Sequence, residues 1–285
     1  MVAPDKQKIE SDVLGFYKEL PFNIKSNPEE TAESIRKGNH IRKEYPFLHE
    51  FLESHDSLSI LDAGCGGGWF SNTIATHYGH TCTGIDFNPK VVEIANKVAT
   101  LLEGPNQYYH YNIFEYFPEQ KFDLVISHGC LHHTKDCHGA IRHLLANAVK
   151  PRGHALIGLY HLYGRKPFLD YFKELIDAGL SEDQLFDAYK RLHTMPGDEV
   201  HQKSWFRDQV LHPHETQHTL KEILPLVTEE GFELIKTSVN EFRDITDTEM
   251  LFKMEEYMER TGEEMLNMGS YYPGFFEVFI KNKNN

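Results

Sequence analysis

Apolar residues follow two rhythms along this chain. Between Leu58 and Tyr160 they gather in short runs: Leu58, Ile60 and Leu61; Cys82 to Ile85; Gln107 to Tyr111; Phe122 to Ser127; His154 to Tyr160. Short apolar runs of this kind mark strands buried on both faces of a parallel sheet. The stretches between them repeat apolar positions at the spacing of one helix face. Asn88-Pro89 supplies an N-cap and a first-turn proline, and Val91, Val92, Ile94, Ala95, Val98 and Leu102 line one side of the helix that follows. His138 to Val149 repeats the pattern, and Lys150-Pro-Arg-Gly153 then turns into the fifth strand. Strand alternating with helix predicts an α/β domain around a parallel sheet.

The flanks are helical. Ile9 to Leu20 places Ile9, Val13, Phe16, Tyr17 and Leu20 on one face and stops at Pro21; a second helical stretch runs from Pro28 to Leu52. After Tyr160, Lys166 to Ala178 reads as helix, and Ser181 with Gln184 forms a capping box for a helix to Leu192. Thr219 with Glu222 forms another, and Pro225 predicts a kink or a late start in the helix after it. Phe232 to Val239 and Phe275 to Lys281 read as strands around an amphipathic, Met-rich segment, Thr246 to Met268. The expected units are an arm (1–55), a core (56–161), a helical insertion (162–218) and a return to the sheet (219–285).

The first strand ends in an unusual turn, Asp62-Ala-Gly64-Cys65-Gly66-Gly-Gly68, before a helix opening near Phe70. Glycines permit positive φ and let a ligand lie against bare backbone. The helix start behind them offers free N–H groups. Asp86 ends the second strand about 18 residues after Gly68, near the spacing of about 20 at which such an acid meets a ribose. The dinucleotide pattern G-x-G-x-x-G fails here, because Trp69 stands at its sixth position.

The stretch DAGCGGG resembles motif I of the class I S-adenosylmethionine-dependent methyltransferases, and GIDFNP resembles their acidic second motif. The chain also resembles the ubiquinone-biosynthesis type of small-molecule methyltransferase. The resemblance implies a seven-stranded, mostly parallel Rossmann-like sheet with helices on both faces, plus an N-terminal helical arm and a helical lid insertion. It implies S-adenosylmethionine as cofactor and S-adenosylhomocysteine as product. Asp62, Gly64, Cys65, Gly66 and Gly68 would hold the methionine and ribose part, Asp86 the ribose hydroxyls and Asn112 the adenine amino group, with Phe87 and Ile113 also in the cofactor site. The family usually carries an acid where Asn112 stands; the amide oxygen still accepts a hydrogen bond, but the group also donates. Ser127 and His128 would line the methionine end. The segment before motif I often folds over the cofactor in similar enzymes, which makes Tyr17, Phe22 and Asn23 lid residues.

Histidines crowd the expected acceptor side. HGCLHHTKD follows the fourth strand, where open α/β sheets place ligands, and resembles a family segment in which a Leu-His-His run begins the next helix. His161 and Tyr163 stand beyond Tyr160 at the carboxyl edge of the fifth strand. The insertion ends in WFRDQVLHPHETQHT, a pocket wall carrying Asp208, His212, His214, Glu215 and His218. His214 to His218 matches H-E-x-x-H, a zinc-protease motif only where a helix puts both histidines on one face. Pro213 and the Thr219–Glu222 box favour a pocket wall instead, and no metal is expected. Methyl transfer needs a base where the acceptor carries a proton, and histidine suits that work. The candidates in order are His161, His212, His214 and His132.

The chain has 285 residues, 40% apolar and 12% aromatic, enough for one large domain with insertions. A net charge of −14 argues against nonspecific nucleic-acid or anionic-membrane binding, which needs a basic footprint. No apolar run approaches the roughly 18 residues of a membrane span, and the first ten residues lack a signal-peptide core. The four cysteines form no C-x-x-C pair, as in a cytosolic protein with free thiols. The expected function is methyl transfer to a small molecule in the cytoplasm. The alternatives are an RNA- or protein-modifying methyltransferase, which would need Arg36, Lys37, Arg42, Lys43, Arg165 and Lys166 to converge, and a cofactor-binding protein without catalysis. Oligomeric state is not legible.

Overall fold

The computed structural model describes residues 5–25, 27–194 and 197–284; the first ten residues considered above lie partly outside them. The strands are β1 (Ser59–Ala63), β2 (Thr81–Asp86), β3 (Gln107–His110), β4 (Phe122–His128), β5 (Val149–Tyr160), β6 (Phe232–Thr237) and β7 (Phe275–Asn282). They form one sheet in the order β3-β2-β1-β4-β5-β7-β6. The first five run parallel, and β7 runs antiparallel between β5 and β6. The alternating runs predict the parallel α/β core, and the resemblance implies the seven-stranded, mostly parallel sheet that is present.

The helices are α1 (Lys6–Glu19), α2 (Pro28–Lys37), α3 (His40–Glu44), α4 (Pro46–Glu53), α5 (Trp69–Tyr78), α6 (Pro89–Leu101), α7 (Cys137–Ala148), α8 (Leu162–Asp177), α9 (Glu182–Leu192), α10 (Glu199–Val210), α11 (Leu220–Glu229) and α12 (Thr248–Asn267). Successive strand residues point to opposite faces, so each face has its own core. Leu61, Ala63 and Val125 pack with Ile141 and Leu144 of α7 and Ile223 of α11. Ile60, Leu124 and Ile126 pack on the other face with Leu48 of α4 and Ile74 of α5.

Four local expectations change. The single stretch Pro28 to Leu52 is three helices: Gly38 caps α2, Asn39 Oδ1 accepts the Arg42 amide (3.1 Å) to start α3, and Pro46 opens α4. Lys150 to Gly153 is drawn into β5 as an irregularity, with Arg152 at φ +59° and a register shift between Phe122 and Leu124. The helix after β4 begins only at Cys137, where Asp136 accepts the Gly139 amide at 2.9 Å; Leu131 to His133 form a separate 3₁₀ turn. Pro225 lies inside α11, which starts without delay at its Thr219 cap.

The inserted helices α8 to α10 bury Phe168, Phe172, Phe186, Tyr189 and Phe206 against one another. This second small core carries α10 to the carboxyl ends of the sheet, where the strand order reverses between β1 and β4.

Candidate active site

The turn after β1 is held by its neighbours. The Gly64 and Cys65 amides both donate to Ile85 O of β2, at 2.8 and 3.1 Å. Gly64, Gly66 and Gly68 take φ of +79°, +51° and +72°. A Cβ on Gly64 would stand 2.3 Å from Cys130 Sγ, while the space beside Gly66 is open. Asp86 anchors the turn from across the gap: Oδ2 accepts the Gly66 amide (3.0 Å) and Oδ1 the Asn88 amide (2.9 Å). Each oxygen keeps a lone pair for a further donor, as two vicinal hydroxyls would supply. Burial raises the Asp86 carboxyl, and the two amides act against that rise.

These groups face a cavity of about 590 Å³. Gly64, Cys65, Gly66, Asp86, Phe87, Asn112, Ile113 and His128 line its floor, and Tyr17 and Asn23 its roof. Asp62, Gly68 and Ser127 stand behind the wall instead. Asp62 is 4% exposed, takes the Ser71 hydroxyl at 2.7 Å, and is pushed up to about 6 by burial. Gly68 lets α5 approach Ala95 and Tyr108, and Ser127 Oγ donates to Ala63 O at 2.8 Å. All three hold the turn's shape. Asn112 Nδ2 donates to Glu10 of α1 (2.9 Å), so the amide is used as a donor toward the roof.

The arm closes the cavity by bridging both sides. Asn88 Nδ2 donates to Tyr17 O (3.1 Å), Lys135 pairs with Glu10 (2.8 Å), and Trp205 Nε1 of α10 donates to Asn23 Oδ1 (3.1 Å). The Tyr17 hydroxyl donates to Asp208 of α10 at 2.5 Å.

Beneath Tyr17 lies a buried polar cluster. His133 lines the cavity and is 4% exposed. Its Nδ1 lies 3.0 Å from His214 O; a carbonyl only accepts, so Nδ1 carries a proton, and burial, which holds the ring down to about 4, leaves Nε2 a lone pair. Among the described residues that Nε2 has no hydrogen-bond partner, and Asp208 Oδ1 is 3.9 Å away. The ring stacks on His212, centroids 3.8 Å apart. The His214 amide donates to His212 Nδ1 (3.1 Å), so His212 carries its proton on Nε2. One residue thus fixes two neighbouring rings in opposite tautomers.

None of the four histidines expected to act as the base lines the cavity. His161 is fully buried; Nε2 meets Glu255 of α12 at 3.1 Å and Nδ1 takes the Gly164 amide at 3.2 Å as the cap of α8. His132 sits behind Tyr160, and His214 Nε2 meets Thr134 O at 3.1 Å. His212 reaches the cavity only through His133. The adjacent His133 was missed because a Leu-His-His run gives no sign of which ring a 3₁₀ turn aims inward.

Two clusters have the spacing of metal donors. His133, Asp208 and His212 offer atoms within 4.8 Å of one another, but His212 presents an N–H there. His138, His218 and Glu222 are the other group; both histidines already lie against Glu222 Oε1, at 2.8 and 3.3 Å. The H-E-x-x-H run is extended rather than helical, so its histidines do not share a helix face.

Residues 61–157, the span holding the turn, Asp86 and most of β5, match a family described as Methyltransferase domain. The chain carries a class I methyltransferase domain. S-adenosylmethionine is the cofactor of this class and S-adenosylhomocysteine its product. Over 138 residues the chain is 34% identical to a ubiquinone biosynthesis O-methyltransferase of Hydrogenovibrio crunogenus, covering 46% of this chain and 55% of that one. Over 168 residues it is 27% identical to the protein of the same name from Alkalilimnicola ehrlichii, covering 56% and 66%. The chain therefore spans less than two thirds of these curated relatives. The solved structure of PKMT2 from Rickettsia typhi shares the fold, with a TM-score of 0.58 at 15% identity over 80% of this chain and 50% of that one.

Two predictions follow from how the methyltransferase domain is built here. Gly64→Ala puts a Cβ into Cys130 at a positive φ, which should cost about 3 kcal/mol. The melting temperature should fall, and Gly64→Ala/Cys130→Gly should recover the packing share; equal melting of single variant and wild type would contradict the assigned contact. The second concerns acid. Burial pushes His133 down to about 4 and His212 to about 3, from an ordinary 6.5. The unfolded chain then binds more protons than the folded one between those values, so stability is full above about pH 6.5 and falls as pH drops toward 4. His133 alone accounts for about 3 kcal/mol. Urea midpoints at pH 7, 5.5 and 4.5 should decline steadily; a flat series would contradict neutral burial.

Proposed function

We propose that the protein transfers a methyl group from S-adenosylmethionine to an oxygen of a small-molecule acceptor, with His133 taking the acceptor's proton. The observation that carries this reading is one cavity with the glycine turn and Asp86 on its floor and His133 in its lining, the Nε2 of which has no hydrogen-bond partner among the described residues. The cofactor supplies a methyl on a sulfonium: the C–S bond breaks, a C–O bond forms, and sulfur keeps the electron pair. His133 Nε2 receives the hydroxyl proton, so one positive charge leaves sulfur and one appears on the imidazole. The roof of α1 and the wall of α10 exclude water and align the reactants. An oxygen acceptor is favoured by the O-methyltransferase names of the relatives.

A cavity roofed by its own chain suits a compact acceptor better than a polymer. Of the basic residues that a polymer would need, Arg165 is fully buried, Lys37 pairs with Glu33 and Lys166 with Glu259, which favours the compact acceptor. Among the described residues no helix is long and apolar enough to cross a membrane. The free cysteines are consistent with a reducing, cytoplasmic setting.

Incubation with methyl-labelled S-adenosylmethionine and fractions of the source cell tests the reading. Label should enter the small-molecule fraction. Label confined to RNA or protein, or binding of the cofactor with no transfer to any fraction, would overturn it.

A further inference from the structure

Asp208 is an uncompensated buried carboxylate. It is 3% exposed, on α10 of the insertion. Oδ1 accepts from Tyr17 Oη at 2.5 Å; Oδ2 accepts from Gln209 Nε2 at 3.0 Å and Tyr160 Oη at 3.4 Å. Gln209 cannot turn its oxygen toward Asp208, because that oxygen takes Tyr271 Oη at 2.7 Å and Arg165 Nη1 at 3.2 Å. Burial raises the Asp208 carboxyl, and the Tyr17 bond with the other two donors acts against that rise in favour of the carboxylate.

The nearby cation makes its direct pair elsewhere, and reaches Asp208 only through its field. Arg165 is spent on Glu215 in a bidentate pair, at 3.0 and 2.9 Å, with its plane over Tyr160. His212 is neutral because its Nδ1 accepts the His214 amide, and burial keeps His133, 3.9 Å from Asp208 Oδ1, neutral by holding it down to about 4. A buried anion without a direct counter-ion is costly, and a cation arriving nearby relieves that cost. Tyr17 and His133, its two neighbours on the cavity side, line the cavity.

We infer that Asp208 is the fixed counter-charge of the transfer site, held by the insertion to face positive charge first on the sulfonium and then on His133. The inference rests on the reading under Proposed function. It makes the insertion part of the cofactor site as well as a lid, and it predicts that the protein distinguishes the charged cofactor from its neutral product. No atom of Asp208 enters a covalent step; it acts through charge alone.

Calorimetry with S-adenosylmethionine and S-adenosylhomocysteine on the full chain tests it without knowledge of the acceptor. In Asp208→Asn the ratio of the Kd for S-adenosylmethionine to that for S-adenosylhomocysteine should rise by about threefold or more, with the product's own Kd within about twofold of wild type. Tyr17→Phe, which keeps the carboxylate, should leave the ratio within about twofold. An unchanged ratio in Asp208→Asn, or equal weakening of both compounds, would overturn the inference and leave the functional reading standing. Binding of Zn²⁺ or Mn²⁺ by wild type but not by Asp208→Asn would also overturn it, since the carboxylate would then answer a metal. Failure of wild type to bind either compound would overturn the functional reading itself.

Discussion

Asp86→Ala should weaken S-adenosylmethionine binding by about two to three orders of magnitude. A carboxylate accepting from two ribose hydroxyls makes two charge-assisted bonds, each worth about 1.5–3 kcal/mol, and about 1.4 kcal/mol is a factor of ten. The loss is compounded because the same oxygens hold the Gly66 and Asn88 amides. Without them the bend at Gly66 loses its tether across the gap, and the N-terminus of α6 loses part of its entry. Asp86→Asn is the milder change. It keeps the side-chain shape and one accepting oxygen but sets its amide donors against either the Gly66 or the Asn88 N–H, so its deficit should be about ten- to thirtyfold with a melting temperature between those of wild type and Asp86→Ala. A Kd for Asp86→Ala within threefold of wild type would remove the ribose from this acid.

His133→Ala should lower kcat by about two to four orders of magnitude while leaving the cofactor Kd nearly unchanged. The imidazole enters the reaction neutral, since burial holds it down to about 4. The active form is the unprotonated one, so the rate on an intrinsically neutral acceptor should be flat through neutral pH and fall only as pH drops toward 4. His133→Gln tests position against basicity: it preserves a polar side chain but cannot carry the proton away. It should be nearly as slow as alanine, and added imidazole should restore part of the rate to the alanine variant. An alanine variant with wild-type kcat would show that the proton leaves by another route. His161→Gln should act differently. It breaks a cap and the Glu255 contact, so its deficit should appear in stability before it appears in kcat.

The two histidines mark where sequence reasoning stops. The glycine bend and Asp86 were legible because backbone geometry and a ligand's needs fix residue types at fixed spacing. The capping boxes at Ser181 and Thr219 were legible because both partners lie within one turn. The strand runs were legible because both faces of each are buried. His161 was expected at the carboxyl edge of β5, and it is there. Its side chain is claimed by Glu255, distant in sequence and carried on α12. His133 is not distinguishable from His132 in a Leu-His-His run, because the chain makes a 3₁₀ turn there and the contact with His214 O sets the ring's direction. Asp208 was named as a wall residue, but its lack of a cation depends on Glu215 claiming Arg165. Contacts between distant elements decide each of these, and local pattern carries no trace of them.

A structure of the full chain determined with S-adenosylhomocysteine bears most directly on the account. It should show the compound along Gly64 to Gly66, both ribose hydroxyls on Asp86, and sulfur turned toward Tyr17 and His133. The sugar bound away from Asp86, or sulfur turned toward Asn112, would contradict it.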